Sequence, residues 1–105
     1  PKIAQAYYNL ANIYQLDGQP QKAVEHFRKA VELKPDYVLA WLGLGNSSLD
    51  LKAYKNAVTA FEQAAFLDAE NARIFVYLGF SYNLAGKKQA ALNSYYRAVS
   101  LNPDD

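Results

Sequence analysis

The chain lacks cysteine and methionine, and it has one histidine and one tryptophan among its 105 residues. Without cysteine it cannot form a disulfide, a thiolate metal site or a thiol nucleophile. The single histidine, His26, lies among charged residues on a predicted helix, and the carboxylates show no clustered metal-ligand spacing. We therefore predict that this chain is not an enzyme and needs neither a metal nor a cofactor.

An excess of charge of one sign and long apolar runs are also missing. Eleven Lys and Arg residues oppose ten Asp and Glu residues, for a formal net charge of +1. That balance gives no strong field for nucleic acid or for an anionic membrane surface. No uncharged apolar run approaches the roughly 20 residues that span a bilayer. We expect neither a nucleic-acid partner nor membrane insertion. Because the chain starts at Pro1 without methionine, we expect a fragment of a longer protein, and its localisation stays unassigned.

A fixed period runs through the sequence, in which Leu10, Leu44 and Leu78 are equally spaced. The same step links rows of alanine and of aromatic residues: Ala23, Ala57 and Ala91; Ala30, Ala64 and Ala98; Tyr7, Trp41 and Phe75; Phe27, Phe61 and Tyr95. Such a period is typical of repeat architectures. It predicts a single domain over residues 1–105, built from units at 4–37, 38–71 and 72–105.

Apolar residues within each unit are spaced as on one face of a helix, which indicates two helices per unit. Gly18 and Pro20 punctuate the turn inside unit one, and Pro35 and Pro103 stop the second helix of units one and three. The predicted helices span 3–16, 20–34, 38–51, 54–67, 72–85 and 88–101. The fold class is therefore all-α.

The pattern resembles the tetratricopeptide repeat, whose unit of about 34 residues carries an aromatic residue, Leu, Gly, Tyr, Ala, a second aromatic, Ala and Pro. Unit one supplies Tyr7, Leu10, Ala11, Tyr14, Ala23, Phe27, Ala30 and Pro35, and unit three supplies Phe75, Leu78, Gly79, Tyr82, Ala91, Tyr95, Ala98 and Pro103. The resemblance covers the whole chain and implies a right-handed α-solenoid of three helix-turn-helix units that binds a protein or a peptide. Unit two departs at Ser48, where the family has Tyr, and at Ala69, where it has Pro. We expect a less filled contact at Ser48 and a looser helix stop near Ala69.

In this family, ligands usually lie in a concave groove lined by the first helix of each unit. Steps of three or four residues along these helices place the predicted groove at Tyr8, Asn9, Asn12, Leu42, Asn46, Arg73, Tyr77 and Phe80, with Asn9 and Tyr77 on its shoulder. Charge is scarce there, since the three predicted first helices carry only Asp50 and Arg73. The groove is therefore expected to take a neutral, partly apolar peptide or helix.

Two asparagines are the strongest candidates for holding a peptide. A carboxamide both donates and accepts hydrogen bonds, so Asn12 and Asn46 could each bind the backbone of an extended chain. The alternative is that both are helix-surface residues that bridge adjacent repeats. Family members that clamp acidic chaperone tails use a set of Lys, Asn and Arg residues, of which Asn12 and Arg73 remain here. We expect weak or no binding of such tails.

Two other interpretations stay open. No polar helix covers the last predicted helix, so Tyr95, Tyr96 and Val99 are expected to form an open face. That face either precedes further repeats or docks on another copy as a homo-oligomer. Alternatively, the chain is the substrate-selecting arm of a larger enzyme such as a protein O-GlcNAc transferase, whose repeats resemble residues 8–12 here. The inner asparagine row of that enzyme family does not continue at Gly43 and Tyr77.

Overall fold

Six α-helices, paired into three helical hairpins, make up the fold. The computed structural model describes residues 2–104, so Pro1 and Asp105, the last residue of the predicted third unit, lie outside it. The helices are α1 (Lys2–Leu16), α2 (Pro20–Leu33), α3 (Val38–Asp50), α4 (Tyr54–Leu67), α5 (Ala72–Leu84) and α6 (Lys88–Leu101), and residues 2–104 contain no strand. Every helix begins and ends within one residue of the position that the sequence predicts.

The turn inside each unit has the same geometry in all three units. Gly18 and Gly86 adopt left-handed backbone conformations, with φ of 71° and 80°, and Lys52 takes the equivalent position in unit two with φ of 60°. Only glycine adopts this conformation without a steric cost, so the turn of unit two carries some strain. In every unit the first residue after this turn donates its backbone N–H to the carbonyl five residues earlier, as Gln19 does to Tyr14 at 2.9 Å.

The expectation of a looser helix stop near Ala69 is wrong. Helix α4 ends at Leu67, the position equivalent to the ends of α2 and α6. The Asp68 backbone N–H donates to Ala64 at 2.9 Å, as in the other two units. The Asn71 side chain then donates to the Asp68 carboxylate at 3.1 Å and accepts the Arg73 N–H at 3.1 Å. This pair of polar contacts fixes the link to α5 without a proline, because it caps the start of the next helix.

Stacking of the hairpins buries one continuous set of small and aromatic side chains. Each second helix packs against the first helix of its own unit and against that of the next unit. The alanines at the two repeated positions are buried in all three units: Ala23, Ala57, Ala91, Ala30, Ala64 and Ala98. Small side chains let the helix axes approach closely, and aromatic rings fill the remaining space. The chain is thus an all-α solenoid of helical repeats.

The ring of Phe27 shows how tightly the first two units meet. It is fully buried in one cluster with Ala11 of its own unit. On its other side the ring lies so close to α3 that a Cβ added at Gly43 would overlap it. The first unit therefore contributes the methyl group of Ala11 to the surroundings of the Phe27 ring, and the second unit contributes Gly43, which has no side chain.

The equivalent ring, Phe61, has the opposite arrangement. Its own unit offers Gly45, where an added Cβ would lie 2.6 Å from the ring. The next unit offers Tyr77, whose ring stacks on Phe61 with 5.3 Å between centroids and 25° between planes. Close approach to α3 thus leaves room for a second aromatic ring, and stacked rings add to the stability that burial provides.

Candidate peptide-binding groove

One row of side chains along α1, α3 and α5 remains accessible. Helices α1 and α3 contact each other directly, more than α2 and α4 do. The predicted groove residues on this row are half-buried on the first two units, Tyr8, Asn12, Leu42 and Asn46, and exposed on the third, Arg73 and Phe80. Asn12, Asn46 and Phe80 occupy equivalent positions in the three successive units. Tyr8 and Leu42 are likewise equivalent to each other, whereas Arg73 lies beside Val99 of α6 and Asn102, which follows that helix.

Tyr8 forms a packed wall of this face. Its ring lies 5.1 Å from the ring of Tyr37 and 5.8 Å from that of Phe27, centroid to centroid. Burial, and secondarily the neighbouring Tyr8, raises the pKa of Tyr37. The Lys34 ammonium lies 4.7 Å from the centre of the Tyr37 ring, so a positive charge borders this part of the face.

Asn9 and Tyr77 lie away from this row, and only Tyr77 is at a contact between units. Tyr77 is half-buried on Phe61 of the preceding unit, and the equivalent residue Gly43 meets Phe27 in the same way. Asn9 has the same position on α1 and is exposed. Gly43 could have indicated this in the sequence. A glycine at the position equivalent to Tyr77 is typical of a site where the backbone approaches a neighbouring ring closely.

An exposed apolar face on α1 is a feature that the sequence analysis missed. Ile3, Leu10 and Ile13 have 64%, 43% and 62% of their surface exposed. The residues equivalent to Leu10, namely Leu44 and Leu78, are buried in the contact with the preceding unit. The periodic leucine row already contained this signal, since the same position is buried only where another unit precedes it.

Acid-base chemistry is sparse in the part of the chain that the structure describes. No group of three His, Cys, Asp or Glu side chains that could hold a metal ion occurs there. The Nδ1 atom of His26 lies 2.8 Å from the Lys22 carbonyl oxygen. The Tyr82 hydroxyl donates to the Glu62 carboxylate, and burial followed by this hydrogen bond raises the pKa of Tyr82 to about 12. Over residues 2–104, no helix has both the length and the apolar character needed to cross a membrane.

The comparison with known families agrees with this architecture. The tetratricopeptide repeat family matches residues 4–37 and, through a second profile of the same family, residues 42–105. The chain therefore belongs to the tetratricopeptide repeat family. Its fold is in general a non-catalytic interaction module that binds proteins or peptides.

Similar proteins carry such repeats in different settings. The "Protein CTR9 homolog" of Arabidopsis thaliana is 28% identical over 109 residues, which cover all of this chain and 10% of that protein. The UDP-N-acetylglucosamine–peptide N-acetylglucosaminyltransferase of Giardia intestinalis is 29% identical over 75 residues, or 71% of this chain and 5% of the enzyme. The chain thus spans a tenth or less of these two relatives.

A solved structure shows the same fold at lower identity. The second tetratricopeptide domain of Spaghetti (RPAP3), bound to the HSP90 peptide SRMEEVD, superposes with a TM-score of 0.87 at 19% identity. The match covers 94% of this chain and 92% of that domain.

Proposed function

We propose that this chain is a single domain of three units, 4–37, 38–71 and 72–105, that binds a neutral, partly apolar peptide or helix in the groove along α1, α3 and α5. The observation that carries the proposal is the continuous accessible row with apolar side chains and two aligned carboxamides, Asn12 and Asn46. Direct contact between α1 and α3 supports an inner position for the first helices, because elements on the inside of a curved stack lie closer together.

The side-chain amides of Asn12 and Asn46 provide the hydrogen-bonding groups of the groove. Both Asn12 and Asn46 are half-buried, and neither side chain forms a hydrogen bond with another residue of 2–104. A peptide backbone laid along the row supplies both donors and acceptors, which an amide side chain matches. Leu42 and Phe80 then provide apolar contacts for the side chains of the peptide.

Replacing both asparagines by alanine, Asn12→Ala with Asn46→Ala, is expected to weaken binding of a library-selected peptide by about 1 to 3 kcal/mol, because amides of the peptide lose their partners. Isothermal titration calorimetry measures the change, and circular dichroism checks that helicity is unchanged. The matched control is Asn93→Ala, an exposed asparagine on α6 whose partner is Gln89 at 3.2 Å. Equal affinity of the double variant and the parent chain would refute the role of the asparagines.

Acidic peptides provide a second control. RPAP3 binds SRMEEVD, yet the residues here at the positions that clamp such tails in the family include Tyr8, Gly43 and Tyr77 in place of charged or amide side chains. Arg73 alone would have to neutralise a tail with several carboxylates. We expect no measurable binding of SRMEEVD under conditions where a neutral peptide binds.

Self-association is a second candidate function, favoured by two uncovered faces. Ile13 is 62% exposed, whereas the equivalent Ser47 and Ser81 are 0% exposed. At the other end Tyr95 is 37% exposed, whereas the equivalent Phe27 and Phe61 are 0% exposed. Where one unit follows another, the surfaces equivalent to these two faces are packed against each other. We infer that the face of α1 on one copy can cover the face of α6 on another, which is a head-to-tail contact.

The three residues predicted for the face of α6 do not all have the same place in it. Val99 is 60% exposed while its equivalent in unit one, Val31, is buried, so it belongs to the uncovered face of α6. Tyr96 is also exposed, but its equivalents Arg28 and Glu62 stay exposed where another unit follows. Tyr96 therefore lies at the edge of the face rather than in its centre.

A mixing experiment tests the head-to-tail contact. Ile13→Glu blocks the face of α1 and Val99→Glu blocks the face of α6, so each variant alone is expected to be monomeric by light scattering. Mixed together, they retain one intact pair of faces and should form a heterodimer. The control Ser100→Glu adds the same charge at a position where unit one already has Glu32. A parent chain that stays monomeric at millimolar concentration would rule out this function.

The substrate-selecting arm receives less support from the structure. The asparagine row that such an arm needs breaks at Gly43 and Tyr77, which contact phenylalanine rings of the preceding units. The Giardia transferase matches through repeats alone over 5% of its length.

A further inference from the structure

A cavity of about 160 Å³ lies between α2, α3 and α4, on the side of unit two where the family tyrosine is replaced by Ser48. Its lining combines apolar walls with polar groups: Arg28, Trp41, Leu44, Ser48, Asn56, Thr59 and Ala60. Ser48 and Ala60 form the floor of this cavity and are each 1% exposed, and the cavity opens to solvent beside Arg28, Asn56 and Thr59. It is separate from the groove along α1, α3 and α5.

Unit one shows what occupies the equivalent space when tyrosine is present. The Tyr14 ring lies 5.0 Å from the His26 ring, centroid to centroid, and the Lys22 ammonium lies 5.4 Å from the centre of the Tyr14 ring. The residues equivalent to His26 and Lys22 in unit two are Ala60 and Asn56, and both line the cavity. Two of its walls are therefore the walls that contact a tyrosine ring in unit one.

Unit three shows the position of the hydroxyl end of such a ring. Tyr82 donates its hydroxyl hydrogen to the carboxylate of Glu62, on the second helix of the preceding unit. The residue equivalent to Glu62 beside the cavity is Arg28. A ring placed in the cavity as Tyr82 is placed in unit three would direct its para substituent at a guanidinium instead of at a carboxylate.

We propose that this cavity binds an aromatic ring that carries a carboxylate group. The ring lies in the open part of the cavity, above the floor formed by Ser48 and Ala60, and the carboxylate accepts hydrogen bonds from Arg28. That guanidinium is exposed and forms no ion pair or hydrogen bond with any residue of 2–104. Arginine matches the planar geometry of a carboxylate with two parallel donors.

The size and stiffness of the cavity suit a single ring. Its volume of about 160 Å³ is close to the roughly 150 Å³ of an enclosed apolar cavity that binds benzene, but this cavity is open to solvent on one side. The Trp41 indole, which forms one wall, donates its Nε1–H to the Pro35 carbonyl at 2.8 Å. This hydrogen bond holds the indole in place, so the wall does not collapse into the space.

Benzoate is the probe for the first measurement, and Trp41 is the reporter. As the only tryptophan of the chain, Trp41 gives a single indole N–H signal in a ¹H–¹⁵N correlation spectrum. Titration with benzoate is expected to shift that signal with a dissociation constant on the order of 1 mM. Benzyl alcohol, a neutral ring of similar size, should bind about tenfold more weakly because it lacks the charged acceptor.

Two substitutions separate the ring from the carboxylate. Ser48→Tyr fills the cavity with the residue that units one and three use, and it should abolish the benzoate shift. Arg28→Gln removes the charge at an exposed site and should reduce the preference for benzoate over benzyl alcohol from about tenfold to about onefold. The control Lys29→Gln removes the same charge from the neighbouring residue, which lies 3.7 Å from Glu32, and should leave the preference unchanged.

Titrations with two peptides show whether the aromatic ring comes from a protein or from a small molecule. Acetyl-Gly-Phe with a free carboxylate and the same peptide with a C-terminal amide are titrated beside benzoate. Tighter binding of the free-acid peptide than of benzoate assigns the site to the C-terminus of a partner protein, and binding of benzoate alone assigns it to a small aromatic acid. The proposal is overturned if none of the probes shifts the indole signal, if Ser48→Tyr binds benzoate as the parent does, or if benzyl alcohol binds as tightly as benzoate.

Discussion

Replacing Phe61 by alanine is expected to lower the free energy of unfolding by about 3 to 5 kcal/mol. The ring is fully buried, with Gly45 of its own unit on one side and Tyr77 of the next unit on the other. Its removal opens a cavity. Helix α3 contacts the ring with its backbone at Gly45 and therefore has no side chain there that could fill the space, and α5 contacts it with the stacked ring of Tyr77. Urea denaturation followed by circular dichroism measures the loss.

Tyr95→Ala is the matched control for this first prediction. Tyr95 occupies the equivalent position in unit three and is 37% exposed, because the described chain covers it on one side only. Its loss should therefore cost at most about 2 kcal/mol. Equal costs at the two positions would contradict the expectation that the contact with the next unit adds to the stabilisation by this ring.

The second large effect is expected at Gly43. Gly43→Tyr places a ring where even a Cβ would overlap Phe27, so we expect a loss of about 2 to 3 kcal/mol. Ala11→Gly alone should cost about 1 kcal/mol, the usual difference in helix propensity. Together, the two changes give Phe27 the arrangement that surrounds Phe61, with glycine in its own unit and tyrosine in the next.

A double-mutant cycle tests whether these two positions are coupled. If a side chain on one face of the ring is tolerated only with glycine on the other, the double variant should be more stable than the sum of the single effects predicts by at least about 1 kcal/mol. Additive effects, within about 0.5 kcal/mol, would show that the ring adjusts to each neighbour independently. All four chains are compared by urea denaturation at one temperature.

The sequence predicts the regular part of this fold because one period carries it. Alanine and aromatic rows recur once in every unit, and the helices they imply begin and end within one residue of those in the structure. The sequence predicts the end of α4 at Leu67 but not the contacts that fix the link after it. Its proline is absent, and the polar contacts of Asn71 with Asp68 and Arg73 that replace it link side chains whose distance depends on the fold.

The candidate site is predictable in part for the same reason. The repeat period places Asn12 and Asn46 at equivalent positions of α1 and α3, and helical spacing places Tyr8 and Leu42 one turn before them. The position of Tyr77 depends on how far the Phe61 ring lies from the next helix, which only the packed structure shows. The cavity above Ser48 required both kinds of information: a missing tyrosine in the sequence, and the side chains of α2, α3 and α4 that surround the space in the structure.

The groove is the central claim, and its location can be measured directly. A peptide selected from a random library is added to the ¹⁵N-labelled chain, and the amide shifts are mapped onto the helices. We predict that the largest shifts lie on α1, α3 and α5, around Asn12, Leu42, Asn46 and Phe80. Shifts confined to the outer faces of α2, α4 and α6, or to the end faces around Ile13 and Val99, would contradict the assignment of the groove as the binding site.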